Sequence, residues 1–248
     1  MIFSPTQFAA FTSAHLIVAS ICFTLIIGSA VLGRRWRGTR RETRLRFAWI
    51  WFTIAWQSMA VVWYLLPSHF DPHVSLPLHL CDVAAWLAPF ALWSKRRFPM
   101  ALLYFWGVGL STQAFFTPVL RQGYATMEFW MFWVGHLQIV GSAVYVVAVL
   151  GLRPTWKDLA RSIACSAVVL GGVILANELI IPAAFGCEPS NYWYVGNLDT
   201  GARTIIDALG PWPWRIGWIV LLGSTAMTLA WIPWAIAGAI KRTRAGTR

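Results

Sequence analysis

Apolar residues occur in long runs along the whole chain, and short polar connectors separate these runs. A run of about 20 predominantly apolar residues is long enough to cross the hydrocarbon core of a bilayer as a helix. The pattern therefore predicts an all-α polytopic membrane protein, a bundle of seven transmembrane helices that forms a single domain over residues 1–248. The predicted spans cover residues 8–33, 47–66, 76–94, 99–118, 129–150, 162–186 and 214–240.

Composition supports this class. Hydrophobic residues make up 58% of the chain and charged residues only 12%. A soluble domain carries about 25% charged residues, roughly twice this fraction. The seven predicted spans occupy most of the chain, which leaves no room for a separate soluble domain.

The positive charges lie in alternate connectors and predict the topology. The net charge is +11, and the Lys and Arg residues cluster at 34–46, 95–97, 153–161 and 241–248. The connectors between them hold only Arg121, Arg203 and Arg215. This bias predicts that the N-terminus lies outside and the C-terminus in the cytoplasm. We interpret the clusters as topological anchors with affinity for anionic lipid, and we expect no nucleic-acid partner.

Polar side chains in the predicted spans lie at similar depths. Helices rise about 1.5 Å per residue, so the predicted topology assigns each residue a depth. His15, Cys81, Gln113, His136 and Asn177 all fall in the outer half of their spans. Ionisable groups inside a membrane are costly and indicate function by default. The layer predicts a polar cavity within the bundle that opens toward the outer leaflet.

The segment His79-Leu80-Cys81-Asp82 contributes three reactive groups to this layer. If residues 76–94 form one helix, successive residues are about 100° apart around its axis. His79 and Asp82 then share one face and can pair with each other or with a substrate headgroup. Cys81 lies about 200° from His79, so a base for its thiol must come from another helix. His136 has the required depth.

Acyl transfer needs residues of these types. A cysteine nucleophile requires a histidine to accept its proton. It also requires hydrogen-bond donors for the oxyanion that forms at the attacked carbonyl. Cys81 and His136 supply the reactive pair in this hypothesis, and Gln113 or Asn177 supplies the donor.

Other interpretations of the same residues remain open. Cys81 can be a small core residue, as we interpret Cys22 and Cys165, or it can form a disulfide with Cys187 on the outer side. The histidines can simply bridge helices. The cysteine and histidine spacing is not that of a metal site, and we expect no metal and no cofactor. Small residues at helical spacing, Ser111 among them, are interpreted as packing positions.

Several segments together resemble the YwaF-like family of bacterial integral membrane proteins, which is related to the eukaryotic transmembrane protein 164 group. The resemblance covers about residues 10–240. The segments that carry it are Leu76-Pro77-Leu78-His79-Leu80-Cys81-Asp82, Tyr104-Phe105-Trp106-Gly107, Gln113 through Thr117-Pro118, the span that contains His136, Asn191-Tyr192 and Leu209-Gly210-Pro211-Trp212-Pro213-Trp214.

The resemblance implies a fold related to the androgen-induced fatty-acid-ester hydrolases, which use a Thr and a His inside the membrane. It also implies a phospholipid-remodelling acyltransferase with a reactive cysteine and histidine. Cys81 matches that cysteine through the Leu-His-Leu-Cys element, and His136 matches the histidine by its span and separation. The substrate-binding residues are then expected among His79, Asp82, Gln113, Thr117, Asn177, Asn191 and Tyr192.

Our first hypothesis is therefore a lipid acyltransferase or hydrolase of the cell membrane, with a bacterial plasma membrane expected. Its partner is a phospholipid or another acyl lipid, and Cys81 and His136 act by covalent acyl transfer. The alternative is a protein that binds or transports a small amphiphilic ligand without catalysis. The sequence leaves the acyl donor, the acceptor and the oligomeric state open.

Overall fold

The computed structural model describes residues 5–197 and 209–246. Arg203 and Arg248, two of the charges behind the topology prediction, lie outside these residues. The α-helices are α1 (Ser13–Arg35), α2 (Arg40–Leu65), α3 (Leu80–Ser94), α4 (Arg97–Tyr104), α5 (Met127–Ala148), α6 (Trp156–Leu175), α7 (Ile181–Phe185) and α8 (Trp214–Gly246). A π-helical segment, Phe105–Ser111, follows α4, and a second one, Ala176–Ile180, joins α6 to α7. Thr112–Phe115 and Tyr192–Tyr194 form short 3₁₀ turns.

The all-α membrane class is confirmed, while the number of spans is only partly supported. Among the described residues, five helices are long and apolar enough to cross a bilayer: α1, α2, α5, the helical stretch Trp156–Phe185, and α8 as far as Lys241. The third predicted span contains the shorter apolar helix α3, of 15 residues. The fourth changes helix type twice before it ends at Phe115. Seven spans and the orientation of the termini stay predictions.

The described residues form two compact units, and each is treated by itself. The first unit contains residues 5–60 and 81–152, and the second contains residues 61–80, 153–197 and 209–246.

Helix α5 is the central helix of the first unit. In the most apolar 18-residue stretch of α5, 72% is buried. The corresponding share is 22% or less in each of the other four candidate spans. Helix α1 packs along it, and Phe115, Phe129 and Trp133 fill the shared core. The first π-helical segment also packs on α5, where a Cβ on Gly107 would lie only 2.5 Å from that of Ala143. A small residue at position 107 is thus needed for close helix packing, as the sequence predicts.

Helix α2 contains a buried ion pair between Arg46 and Glu42. The charge pattern of the sequence assigned Arg46 to the connector before this helix. The connector before α2 is short, because the helix begins at Arg40 rather than at residue 47. Arg46 Nε donates to Glu42 Oε1 at 3.0 Å, and Arg46 also donates to the carbonyl oxygen of Leu92. The Tyr145 hydroxyl donates to the same Oε1 at 2.9 Å. Arg46 is therefore a buried, paired residue and not an exposed anchor, since a buried charge must be compensated.

The second unit has its core around Tyr192. Helix α6 begins with a capping box, in which Thr155 and Asp158 bond each other's backbone N–H groups. After the second π-helical segment, α7 ends at Phe185, and Gly186 caps it with a φ of +63°, the left-handed conformation that glycine favours. Tyr192 is fully buried with Val173, Ile181 and Val195.

Candidate functional site

Cys81 and His136 are in direct contact in the first unit. Cys81 is the second residue of α3, and His136 lies in the middle of α5. The Cys81 Sγ is 3.1 Å from His136 Nε2. A thiol and an imidazole at this distance can exchange a proton, which is the geometry that an activated cysteine nucleophile requires.

The backbone of α5 determines which ring nitrogen of His136 faces the thiol as an acceptor. The carbonyl oxygen of Phe132 lies 2.7 Å from His136 Nδ1. A carbonyl oxygen only accepts, so Nδ1 carries the proton of the neutral ring. Nε2 then holds a lone pair, and the Cys81 thiol donates to it.

Aromatic rings surround the imidazole. The Phe132 ring centroid is 4.4 Å from that of His136, and the Phe115 centroid is 6.4 Å away. His136 is 9% exposed, while Cys81 is only half-buried. The base is thus held in an apolar environment, and Cys81 as a whole residue is more exposed than His136.

Ser111 is a polar neighbour of the pair that sequence reasoning assigned to packing. Its hydroxyl lies beside the Cys81 thiol, and its side chain is 2% exposed. Within the described residues this hydroxyl has no partner that meets hydrogen-bond geometry. Ser111 ends the first π-helical segment, and such segments are frequent at functional sites. The sequence feature that could have identified Ser111 was its position two residues before Gln113, which places its hydroxyl near the same predicted depth.

Three other predicted site residues lie in the first unit. Asp82 follows Cys81 in the first turn of α3, where a carboxylate complements the helix dipole. The side chains of Gln113 and Thr117 are both exposed. The Thr117 hydroxyl donates to the carbonyl oxygen of Gln113.

The remaining predicted residues lie in the second unit, around Tyr192. The amide of Asn177 donates to the carbonyl oxygen of Tyr192 at 2.9 Å and accepts from its N–H at 3.0 Å. The Tyr192 hydroxyl accepts from the N–H of Leu76 and donates to the carbonyl oxygen of Pro72. Asn177 therefore holds the chain at Tyr192, and both ends of its amide are engaged.

His79 and Asn191 belong to the same group of contacts. The His79 ring packs on the Tyr192 ring with centroids 4.8 Å apart. Asn191 Oδ1 accepts from the N–H of Gly196 at 3.0 Å and lies 3.4 Å from the Arg215 guanidinium. The His79–Tyr192 contact ties the segment after α7 to the connector that precedes α3.

The start of α3 corrects one geometric expectation. The prediction that His79 and Asp82 share a helical face assumed a helix from residue 76. Residues 76–79 form turns and bends, and α3 begins at Leu80. Pro77 explains the difference, since it lacks an N–H and restricts the residue before it. His79 therefore has no fixed helical angle relative to Cys81.

All four cysteines are free, so the suggested disulfide between Cys81 and Cys187 is not formed. Within the residues that the structure describes, no group of three or more His, Cys, Asp or Glu side chains is placed to hold a metal ion. The neighbour that the structure shows for the Cys81 thiol is the His136 imidazole.

Comparison with known families agrees with the resemblance noted in the sequence. The family described as the TMEM164 family matches residues 10–232, which include both Cys81 and His136. The chain belongs to the TMEM164 family. Membership in the TMEM164 family agrees with the confirmed class of multi-pass membrane proteins. No curated protein and no solved structure matches the chain.

Proposed function

We propose that this TMEM164-family protein is a membrane-embedded lipid acyltransferase or hydrolase. It acts by covalent acyl transfer through Cys81 and His136. The observation that carries the proposal is the 3.1 Å contact between Cys81 Sγ and His136 Nε2, together with the Phe132 bond that leaves Nε2 as the acceptor. The family membership supports the same class of activity.

The first half-reaction forms a thioester on Cys81. The thiol proton moves to His136 Nε2, and the thiolate attacks the carbonyl carbon of a lipid ester. The C–S bond forms as the carbonyl becomes an oxyanion. When the oxyanion collapses, the ester C–O bond breaks and the departing alkoxide takes the proton from Nε2. The products are the acyl thioester and a lipid alcohol.

The second half-reaction releases the acyl group. An acceptor alcohol, or water in a hydrolase, gives its proton to His136 Nε2 and attacks the thioester carbonyl. The C–S bond breaks, and the Cys81 thiolate recovers the proton from Nε2. An alcohol acceptor yields a new ester, and water yields a fatty acid. His136 thus acts as base and then as acid in each half.

Ser111 and the helix α3 stabilise negative charge at the sulfur. The buried Ser111 hydroxyl has no other partner in the described residues and donates to the thiolate or to the oxyanion. Cys81 lies in the first turn of α3, where the helix dipole favours an anion. The substrate enters from the outer leaflet in this proposal, through the half-buried side of Cys81.

A labelled acyl adduct tests this function. The wild-type protein is incubated in micelles with phospholipid that carries a radiolabelled acyl chain, and the protein is then treated with hydroxylamine. We expect a hydroxylamine-sensitive label on the wild type and on Cys187→Ala, the matched control for loss of a half-buried thiol. Cys81→Ala should carry none. Full lipid turnover by both Cys81→Ala and His136→Ala would refute the mechanism.

A second candidate, transport or binding of a small amphiphile, is favoured by other buried polar groups. Thr53 and Gln138 are buried in the first unit, and none of their side-chain polar atoms has a partner within the described residues. Such groups normally find one. If they line a transport path in a protein without catalysis, the wild type should carry a labelled amphiphile across vesicle membranes and form no Cys81 adduct, and Gln138→Leu should abolish this flux. A Cys81 adduct on the wild type, or flux that Gln138→Leu leaves unchanged, would reject this candidate.

A further inference from the structure

A small cleft in the first unit lies apart from Cys81, at the end where three chain segments meet. Its volume is about 310 Å³. Arg37, Gly38 and Glu42 line it from the start of α2 and the connector before it. Lys95 and Met100 line it from the α3–α4 connector and from α4, and Val149 and Leu150 line it after α5. By the predicted topology this end faces the cytoplasm.

We propose that this cleft binds the headgroup of an anionic phospholipid, a phosphodiester that carries hydroxyl donors. Basic pockets between transmembrane helices on the cytoplasmic side recognise headgroups of this kind. A volume near 300 Å³ is at the lower end of ligand sites, which fits a headgroup rather than a whole lipid.

The two cations of the cleft are available to a phosphate. In the described part of the chain, the salt bridge is that of Arg46 with Glu42, and neither Arg37 nor Lys95 has an acidic partner. The Arg37 guanidinium lies against the backbone of Gly151, where a Cβ would come within 2.7 Å of it. Gly151 has a φ of +79°, so glycine serves both the backbone turn and this close approach.

Glu42 contributes the preference for hydroxyl donors. Arg46 and Tyr145 both donate to its Oε1. Among the residues described, no donor bonds Oε2, so this oxygen keeps its capacity to accept a hydrogen bond. A carboxylate oxygen only accepts, so it favours a headgroup with hydroxyl groups beside its phosphate. It also repels a second negative charge, which disfavours a phosphomonoester.

Part of the cleft lining is apolar. Met100, Val149 and Leu150 form this apolar wall. A free anion leaves this wall exposed to water, whereas a lipid places the carbon atoms of its glycerol backbone against it. The combination of two cations, one acceptor and an apolar wall thus fits a lipid headgroup better than inorganic phosphate.

Native mass spectrometry of the full-length protein in micelles tests the site. Phosphatidylglycerol is the probe, and phosphatidylcholine is the reference lipid. The double variant Arg37→Gln/Lys95→Gln should lose the preference for phosphatidylglycerol by about tenfold or more. The matched control is Arg35→Gln/Arg96→Gln, which removes the same charge from exposed residues beside the same connectors but outside the cleft. Its preference should change by less than about threefold.

Two results would overturn the proposal. An equal loss in both double variants would mean that the preference is general surface electrostatics. The second result is that the wild type binds inorganic phosphate but shows no preference for phosphatidylglycerol, and that Arg37→Gln/Lys95→Gln abolishes the phosphate binding. This result would assign the cleft to a free anion. If the double variant does not fold, Lys95→Gln alone and the charge-retaining Arg37→Lys/Lys95→Arg replace it. The first should weaken the preference, and the second should keep most of it.

Discussion

The carbonyl oxygen of Phe132 lies 2.7 Å from Nδ1 of His136. Phe132 precedes His136 by one turn of α5. This bond holds the ring proton on Nδ1 and directs the lone pair of Nε2 to the Cys81 sulfur, 3.1 Å away. The orientation of the proposed base thus comes from the backbone of its own helix. A carboxylate as third member of a triad is not needed to fix the tautomer.

The reactivity of Cys81 should depend on His136. In a background with Cys22, Cys165 and Cys187 replaced by alanine, we expect His136→Gln to slow alkylation of Cys81 by iodoacetamide by about 100-fold. Glutamine fills similar space but cannot take the thiol proton. Mass spectrometry of the alkylated peptide measures the rate. A variant that retains only Cys187 should alkylate at the same rate with and without His136→Gln. An unchanged rate at Cys81 would contradict the assigned role of His136.

Removal of the Ser111 hydroxyl should slow acyl transfer without loss of the fold. We expect Ser111→Ala to lower the rate of adduct formation by about tenfold or more, since a buried donor to the developing anion is lost. Thr112→Val is the control, because the Thr112 hydroxyl donates to the carbonyl oxygen of Gly107. Time courses of the radiolabelled adduct compare the two. Equal slowing in both variants would indicate that Ser111 only shapes the π-helical segment.

The buried charges of α2 should matter for stability. Arg46→Met leaves the Glu42 carboxylate buried without its cation, so we expect a loss of about 3–5 kcal/mol in the free energy of unfolding. Tyr145→Phe removes one hydrogen bond to Glu42 and should cost about 1 kcal/mol. The exposed neighbour Arg44 is the control, and Arg44→Met should change stability by less than about 0.5 kcal/mol. Unfolding by denaturant in micelles measures all three variants. A small effect of Arg46→Met would contradict the stabilising role assigned to the Arg46–Glu42 pair.

Close packing at Gly107 predicts a steric effect with a specific rescue. Gly107→Ala should destabilise the protein by about 1–3 kcal/mol, because the new methyl group overlaps Ala143. The double variant with Ala143→Gly should recover much of this loss. Gly171 has open space around its Cα, so Gly171→Ala should be neutral or stabilising by up to about 1 kcal/mol. If the changes in the free energy of unfolding for Gly107→Ala and Ala143→Gly simply add in the double variant, the contact between positions 107 and 143 would be rejected. The same micelle denaturation assay applies.

Much of the site could be predicted from depth along the helices. Cys81 and His136 were expected at one level because both predicted spans enter from the same side. Ser111 could not be assigned in this way, because a serine in a helix is equally consistent with packing. Its neighbour across the bundle belongs to α3, and only the arrangement of the helices shows that this neighbour is a thiol. Asn177 was expected to supply a hydrogen-bond donor to the oxyanion, but the backbone of Tyr192 engages both ends of its amide.

The sequence by itself determined the all-α membrane class and most of the span positions. Long apolar runs have few ways to satisfy their backbone in lipid, and a helix does so from local residues alone. Tertiary structure decided the rest: the start of α3 at Leu80, the burial of Arg46 against Glu42 and Leu92, and the placement of Ser111 beside Cys81. Each of these depends on which residues distant in the chain become neighbours. Composition and periodicity report only on a residue's own segment, so they cannot specify such contacts.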